Sequence, residues 1–83
     1  MNCWTIHLFG PEARLAGRDR VEVHAPAQTL DCARLRVLLS QAQPELATRL
    51  SSCRWAVNHA YADESTVVSP QDEVGLIGMV SGG

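Results

Sequence analysis

The chain has 83 residues, 46 % of them hydrophobic and 19 % charged, with a formal net charge of −2 at pH 7. That length supports one small core, burying roughly 60 % of the surface the unfolded chain exposes, and leaves no room for a second. The charge balance gives no basic footprint for nucleic acid, and no stretch approaches membrane-spanning length.

Residues 3–9 are rich in Trp, Thr, Ile and Phe, with Trp4, Ile6 and Leu8 alternating against Thr5 and His7, which predicts a strand with one face on the core. Gly10-Pro11 stops it. Residues 12–17 are helix formers closed by Gly17, enough for one turn or a short helix before the chain reverses. Residues 20–25 alternate again, Val21 and Val23 on one side and Glu22 and His24 on the other, so the two strands are expected to pair as an antiparallel hairpin.

After a break at residues 26–29, Thr29 is the expected N-cap and Asp31 a first-turn carboxylate of the main helix, residues 30 to about 43. Leu35, Leu38, Leu39 and Ala42 form its apolar face, with Arg34 and Gln41 toward water. Pro44 interrupts, and residues 45–50 read as a short second helix. Residues 54–57 predict a central strand, Trp55 and Val57 pointing the same way; 58–63 a turn and a brief extended piece; 65–68 a little more strand. Ser69-Pro70-Gln71-Asp72 is a turn with Pro in its favoured second position, and residues 73–77 are the last strand.

Cys3, Cys32 and Cys53 are odd in number and far apart, which reads as buried free thiols. His7, His24 and His59 have no nearby Cys or carboxylate motif and read as surface or half-buried histidines, so no metal site is expected. All seven basic residues are arginine, so any lysine chemistry must come from a partner. The N-terminus lacks the basic start and unbroken apolar run of a signal peptide, and a cytoplasmic chain is expected.

The last stretch, Ile77-Gly78-Met79-Val80-Ser81-Gly82-Gly83, has no folding rationale of its own, because glycine loses the most backbone freedom when ordered. Two residues without Cβ atoms can enter a channel too narrow for side chains and leave a terminal carboxylate approachable from every side. Ile77, Gly78, Met79, Val80 and Ser81 are therefore candidate partner-binding residues, with Gly82 and Gly83 as the reactive end. Residues 1–77 are expected to form a single domain and 78–83 a tail that is mobile without a partner.

The order strand, strand, helix, short helix, strand, strand, with a helix across one face of a small mixed sheet, is an α+β arrangement of the β-grasp, ubiquitin-like kind; the C-terminal strand lies in the middle, parallel to the first. With Val57-Asn58, Asp72-Glu73-Val74 and Val80-Ser81-Gly82-Gly83, the whole chain resembles the MoaD and ThiS sulfur carriers. Its length and short second helix look most like the small subunit of molybdopterin synthase. That family typically has an aromatic and two prolines before the terminal Val, where this chain has Ile77, Gly78 and Met79, so its tail loses a preset extended backbone.

The resemblance implies that the chain binds no cofactor and is not catalytic alone. An adenylyltransferase like the ubiquitin activators would use ATP to adenylate Gly83, and a sulfur donor protein would replace the adenylate to leave a thiocarboxylate. The large catalytic subunit of molybdopterin synthase would then receive the tail and direct the sulfur to cyclic pyranopterin monophosphate. Three alternatives stand beside this: a carrier for thiazole, cysteine or secondary-metabolite sulfur, a ubiquitin-like modifier joined through Gly83 to target lysines, and a plain β-grasp binding module.

Overall fold

The computed structural model describes residues 1–78. Strand β1 (Asn2–Leu8) turns its alternate side chains Trp4, Ile6 and Leu8 inward, and β2 (Arg20–Ala25) does the same with Val21, Val23 and Ala25. They pair antiparallel, Cys3 opposite His24 and Ile6 opposite Val21. Between them lies helix α1 (Gly10–Ala16), with Pro11 at its start. It ends in a Schellman motif: Gly17, at φ 73°, donates to the Arg14 carbonyl and Arg18 donates to that of Ala13. Glycine is the residue that reaches this left-handed geometry without a Cβ clash.

The chain remains extended farther than periodicity alone predicts. Leu30–Asp31 forms β3, paired antiparallel with β6 (Val67–Val68), and helix α2 spans Cys32–Ala42. Asp31, not Thr29, is the N-cap, accepting the Arg34 N–H at 2.8 Å. The first helical amides of Cys32 and Ala33 donate to the carbonyls of Thr66 and Glu64. A remote loop thus satisfies donors that a helix start leaves orphaned. The buried face of α2 is Cys32, Leu35 and Leu39, flanked by the partly buried Leu38; Ala42 is exposed, contrary to expectation.

Residues 44–52 contain two 3₁₀ turns, Pro44–Leu46 and Leu50–Ser52, instead of one short helix. Their bonds run three residues back, Leu46 to Gln43 and Ser52 to Arg49, and each turn buries one leucine, Leu46 or Leu50. The second α-helix of the fold is α1.

Strand β4 (Cys53–Val57) turns into β5 (Ala60–Ala62) through Asn58 and His59, both with positive φ, the geometry that two-residue hairpins favour. Strand β7 (Val74–Gly78) pairs parallel with β1 and antiparallel with β4, giving the sheet order β2-β1-β7-β4-β5. This mixed sheet, with α2 against its inner face, is the β-grasp, and it has the parallel first and last strands that the sequence predicts. Trp4 and Trp55 lie at the centre of the core, 0 % and 1 % exposed, and the Trp4 indole N–H donates to the Val68 carbonyl at 3.2 Å. Among the described residues, no helix is long and apolar enough to cross a membrane.

Candidate functional site

Alternation along the strands gives the sheet a second face, away from α2. On it β1 presents His7, with Phe9 just beyond its end; β7 presents Gly75 and Ile77; β4 presents Arg54 and Ala56; β5 presents Tyr61. His7, Phe9, Ala56, His59, Tyr61, Glu73, Gly75 and Ile77 line an open groove of about 370 Å³. The ring of Phe9 lies over Gly75, and the Arg54 guanidinium sits 4.7 Å from the centre of the Tyr61 ring. Phe9 and Tyr61 are 54 % and 60 % exposed, large apolar side chains on opposite sides of one groove, with β7 and β4 between them.

The candidate tail residues divide at the end of β7. Ile77, opposite Arg54, is half-buried and lines the groove. Gly78 is held in the sheet opposite Cys53, one residue beyond the strand end expected from sequence. Met79, Val80, Ser81, Gly82 and Gly83 lie outside the described residues.

Beside Gly78 stands a feature that periodicity does not reveal. Glu12 of α1 is 1 % exposed, and its Oε2 accepts from Arg49 Nε at 2.8 Å. Its buried Oε1 has no partner among the described residues. A Cβ at position 78 would lie 2.8 Å from the Glu12 carboxyl carbon, inside any real contact distance. The absence of a side chain at Gly78 therefore lets the buried carboxylate reach the root of the C-terminal segment. A carboxylate in a short apolar helix was the available sequence signal, but its partner is 37 residues away.

The opposite end of β7 is fixed by Asn58. Its Nδ2 donates to Asp72 Oδ1 at 3.0 Å, its Oδ1 accepts the Glu73 N–H at 2.9 Å, and its own N–H donates to the Glu73 carbonyl at 2.8 Å. The second carboxylate oxygen of Asp72 accepts the Ser69 N–H at 2.8 Å, closing the turn before β7. These bonds, that of Ser69 first and Asn58 next, hold the Asp72 carboxyl below its ordinary range. Val57-Asn58 and Asp72-Glu73-Val74, fifteen residues apart by the Asn58–Glu73 bond, thus form one clamp at the entry to the last strand.

The cysteines depart in part from the expectation of burial. Cys32 and Cys53 are buried, whereas Cys3 is only half-buried. Cys3 lies on the outer face, directly opposite His24.

The sequence model of the ThiS family matches residues 6–83. No curated protein sequence matches the chain. Its structure is similar to that of SAMP1, small archaeal modifier protein 1, from Haloferax volcanii, at 24 % identity and a TM-score of 0.84 over 98 % of this chain and 99 % of that one. It is similar also to a putative molybdopterin converting factor subunit 1 from Pyrococcus furiosus, at 18 % identity and a TM-score of 0.82 over 96 % and 100 % of the two chains. A third similar structure is the complex of subunits 1 and 2 of the molybdopterin-converting factor from Helicobacter pylori 26695, at 24 % identity and a TM-score of 0.66 over 98 % and 99 %.

Proposed function

The chain belongs to the ThiS family, and from that premise we propose that it is a sulfur carrier whose Gly83 carboxylate becomes a thiocarboxylate. The observation that carries this reading is that the family match runs through residue 83, taking in Gly82-Gly83, while β7 is held between β1 and β4 as far as Leu76 and against β4 as far as Gly78. A rigid strand then presents a short diglycine segment. Residues 78–83 reach about 20 Å when extended, enough to cross into a pocket on a neighbouring protein.

The chemistry follows from the weakness of a carboxylate as an electrophile. With a pKa of about 3.5 it is ionised at neutral pH and resists nucleophiles until one oxygen becomes a leaving group. An adenylyltransferase resembling the ubiquitin activators joins the Gly83 carboxylate to AMP from ATP, releasing pyrophosphate. Hydrosulfide released by a sulfur donor protein attacks the acyl carbon, displaces AMP and leaves a thiocarboxylate. Met79, Val80 and Ser81 contact the channel that receives the segment, while Ile77 and the Phe9–Tyr61 groove seat the partner on the outer face.

The preferred acceptor complex is molybdopterin synthase, with a large catalytic subunit as partner. Support comes from the P. furiosus and H. pylori structures, the second of which pairs a subunit 1 of this fold with a subunit 2. The test is the intact mass of the chain incubated with ATP, an activating enzyme and a sulfur donor. A mass gain equal to replacing one oxygen by sulfur, abolished on deleting Gly83, is expected; no gain with any competent activator overturns the reading.

The second reading is a protein modifier joined through Gly83 to lysines of other proteins, favoured by the similarity to the small archaeal modifier protein. The absence of lysine in the chain would confine acceptors to its targets. Higher-mass conjugates lost on removing Gly83 distinguish this outcome from sulfur transfer alone.

A further inference from the structure

On the outer face, at the edge of the sheet, antiparallel pairing brings together three donor groups that lie far apart in sequence. Cys3 of β1 stands directly opposite His24 of β2, and Glu22 is the next outward residue along β2, opposite Thr5. The thiol sulfur, one carboxylate oxygen and one imidazole nitrogen all lie within 4.8 Å of one another. Glu22 and His24 are exposed and Cys3 half-buried, so an ion can enter from solvent. None of the three side chains makes a hydrogen bond or ion pair among the described residues, in contrast to Glu12, Asp63 and Asp72.

We propose that Cys3, Glu22 and His24 form a three-ligand site for a divalent zinc-class cation, with its remaining coordination position open to solvent or to a partner's side chain. Thiolate, imidazole and carboxylate are the donor set zinc accepts, and bond lengths of roughly 2.0–2.3 Å bring donors to about 3.5 Å apart. Rotating three surface side chains on a fixed backbone by about 1 Å closes that gap. Binding converts the Cys3 thiol to a thiolate and releases one proton to solvent. A dication lying between the Cys3 sulfur and the Glu22 carboxylate turns two groups that would repel each other as anions into co-ligands.

The site stands apart from the diglycine chemistry. Leu8 is level with Leu76 in the parallel β1–β7 pair, so Gly78 lies about seven residues farther along the sheet than Cys3, roughly 23 Å away. A metal here cannot touch the Gly83 carboxylate from the same chain without a long reach back across the sheet. Its natural effect is to tie the edge strand β2 to β1, or to bridge that edge to a second protein through the open position.

The test is titration of the full-length chain with Co²⁺ and Zn²⁺ under reducing conditions. One equivalent of Co²⁺ is expected to produce a thiolate-to-cobalt charge-transfer band, displaced by Zn²⁺. Cys3→Ser should remove the band, His24→Ala should weaken Zn²⁺ binding at least tenfold, and His59→Ala should leave both unchanged. In the unsubstituted chain, Zn²⁺ should shift the imidazole resonances of His24 and leave those of His7 and His59 in place, a readout that needs no variant. No charge-transfer band, or zinc shifts at His7 or His59 but not His24, would overturn the proposal.

Discussion

Asn58 and Asp72 are joined side chain to side chain, Nδ2 to Oδ1 at 3.0 Å, across the start of the last strand. The same amide receives the Glu73 N–H through its oxygen, and Asn58 sits at φ 51°, where asparagine is among the few non-glycine residues tolerated. Replacing it removes two side-chain hydrogen bonds and strains the turn. Asn58→Ala is expected to destabilise the fold by about 2 kcal/mol, and Asn58→Gly by less, because glycine keeps the backbone geometry. Urea denaturation of the two variants checks the order.

Asp72 makes the fold sensitive to acid. Its folded pKa is depressed by the Ser69 N–H and the Asn58 amide, so its contribution is present above the unfolded value and lost as pH falls through the folded one. Stability measured from pH 6 downward should decline below about pH 4. Asp72→Asn should show a shallower decline over the same window, with part of the remaining slope due to Asp63, which is lowered in the same direction by Ser65.

Cys32 acts in the opposite direction. Fully buried, its thiol is pushed up to about 11, first by desolvation and then by the nearby carboxylates of Glu64, Asp31 and Asp63. The folded state holds this proton more tightly than the unfolded chain, so the stabilisation is complete below the unfolded thiol pKa and lost between about pH 9 and 11. Cys32→Ala, although weaker overall from the vacated volume, should lose less stability than the unsubstituted chain over that alkaline window.

The Glu12–Arg49 pair predicts a coupled mutational cycle. Arg49→Ala leaves a buried carboxylate without its cation and should cost about 3 kcal/mol, whereas Glu12→Leu with Arg49 free to reach solvent should cost much less. Gly78→Ala forces a Cβ against the same carboxylate and should destabilise by about 1–2 kcal/mol. In the double variant Glu12→Ala, Gly78→Ala, the glycine substitution should become nearly neutral, a coupling that thermal or urea unfolding of the four proteins resolves.

The outer-face groove predicts a separation of folding from partner use. Ile77→Asp and Tyr61→Ala replace groove residues without disturbing Val74, Leu76 or Trp55 beneath them. Thiocarboxylate formation by the activating enzyme should fall at least tenfold in Ile77→Asp while the chain keeps its unfolding midpoint within a few degrees. A large stability loss with unchanged activation would remove Ile77 from the partner surface.

Much of this architecture is legible residue by residue. The period-2 alternation of Trp4, Ile6 and Leu8, of Val21 and Val23, and of Val74 and Leu76 marks the inward faces that the structure buries, because a strand's two faces see different solvents. The Leu35–Leu39 spacing likewise marks the buried face of α2. The start of that helix was not legible. Leu30 and Asp31 are pulled into a strand by Val67 and Val68, and a two-residue ribbon leaves no periodic trace. The 3₁₀ turns around Leu46 and Leu50 escaped for a related reason, since helix formers after a proline do not reveal whether bonds will close over three residues or four.

By itself, then, the sequence determined the inward faces of the principal strands, the body of the main helix, and that a diglycine segment follows the last strand, since each follows from local spacing and the burial it demands. Only the tertiary structure decided which distant groups meet. Cys3 faces His24 because the β1–β2 register sets it there, and Glu12 meets Arg49 and Gly78 because α1 packs where the turns of residues 44–52 and the end of β7 converge. Register and packing are properties of the whole sheet. Their consequences for charge and ligation are therefore absent from any stretch of the chain read alone.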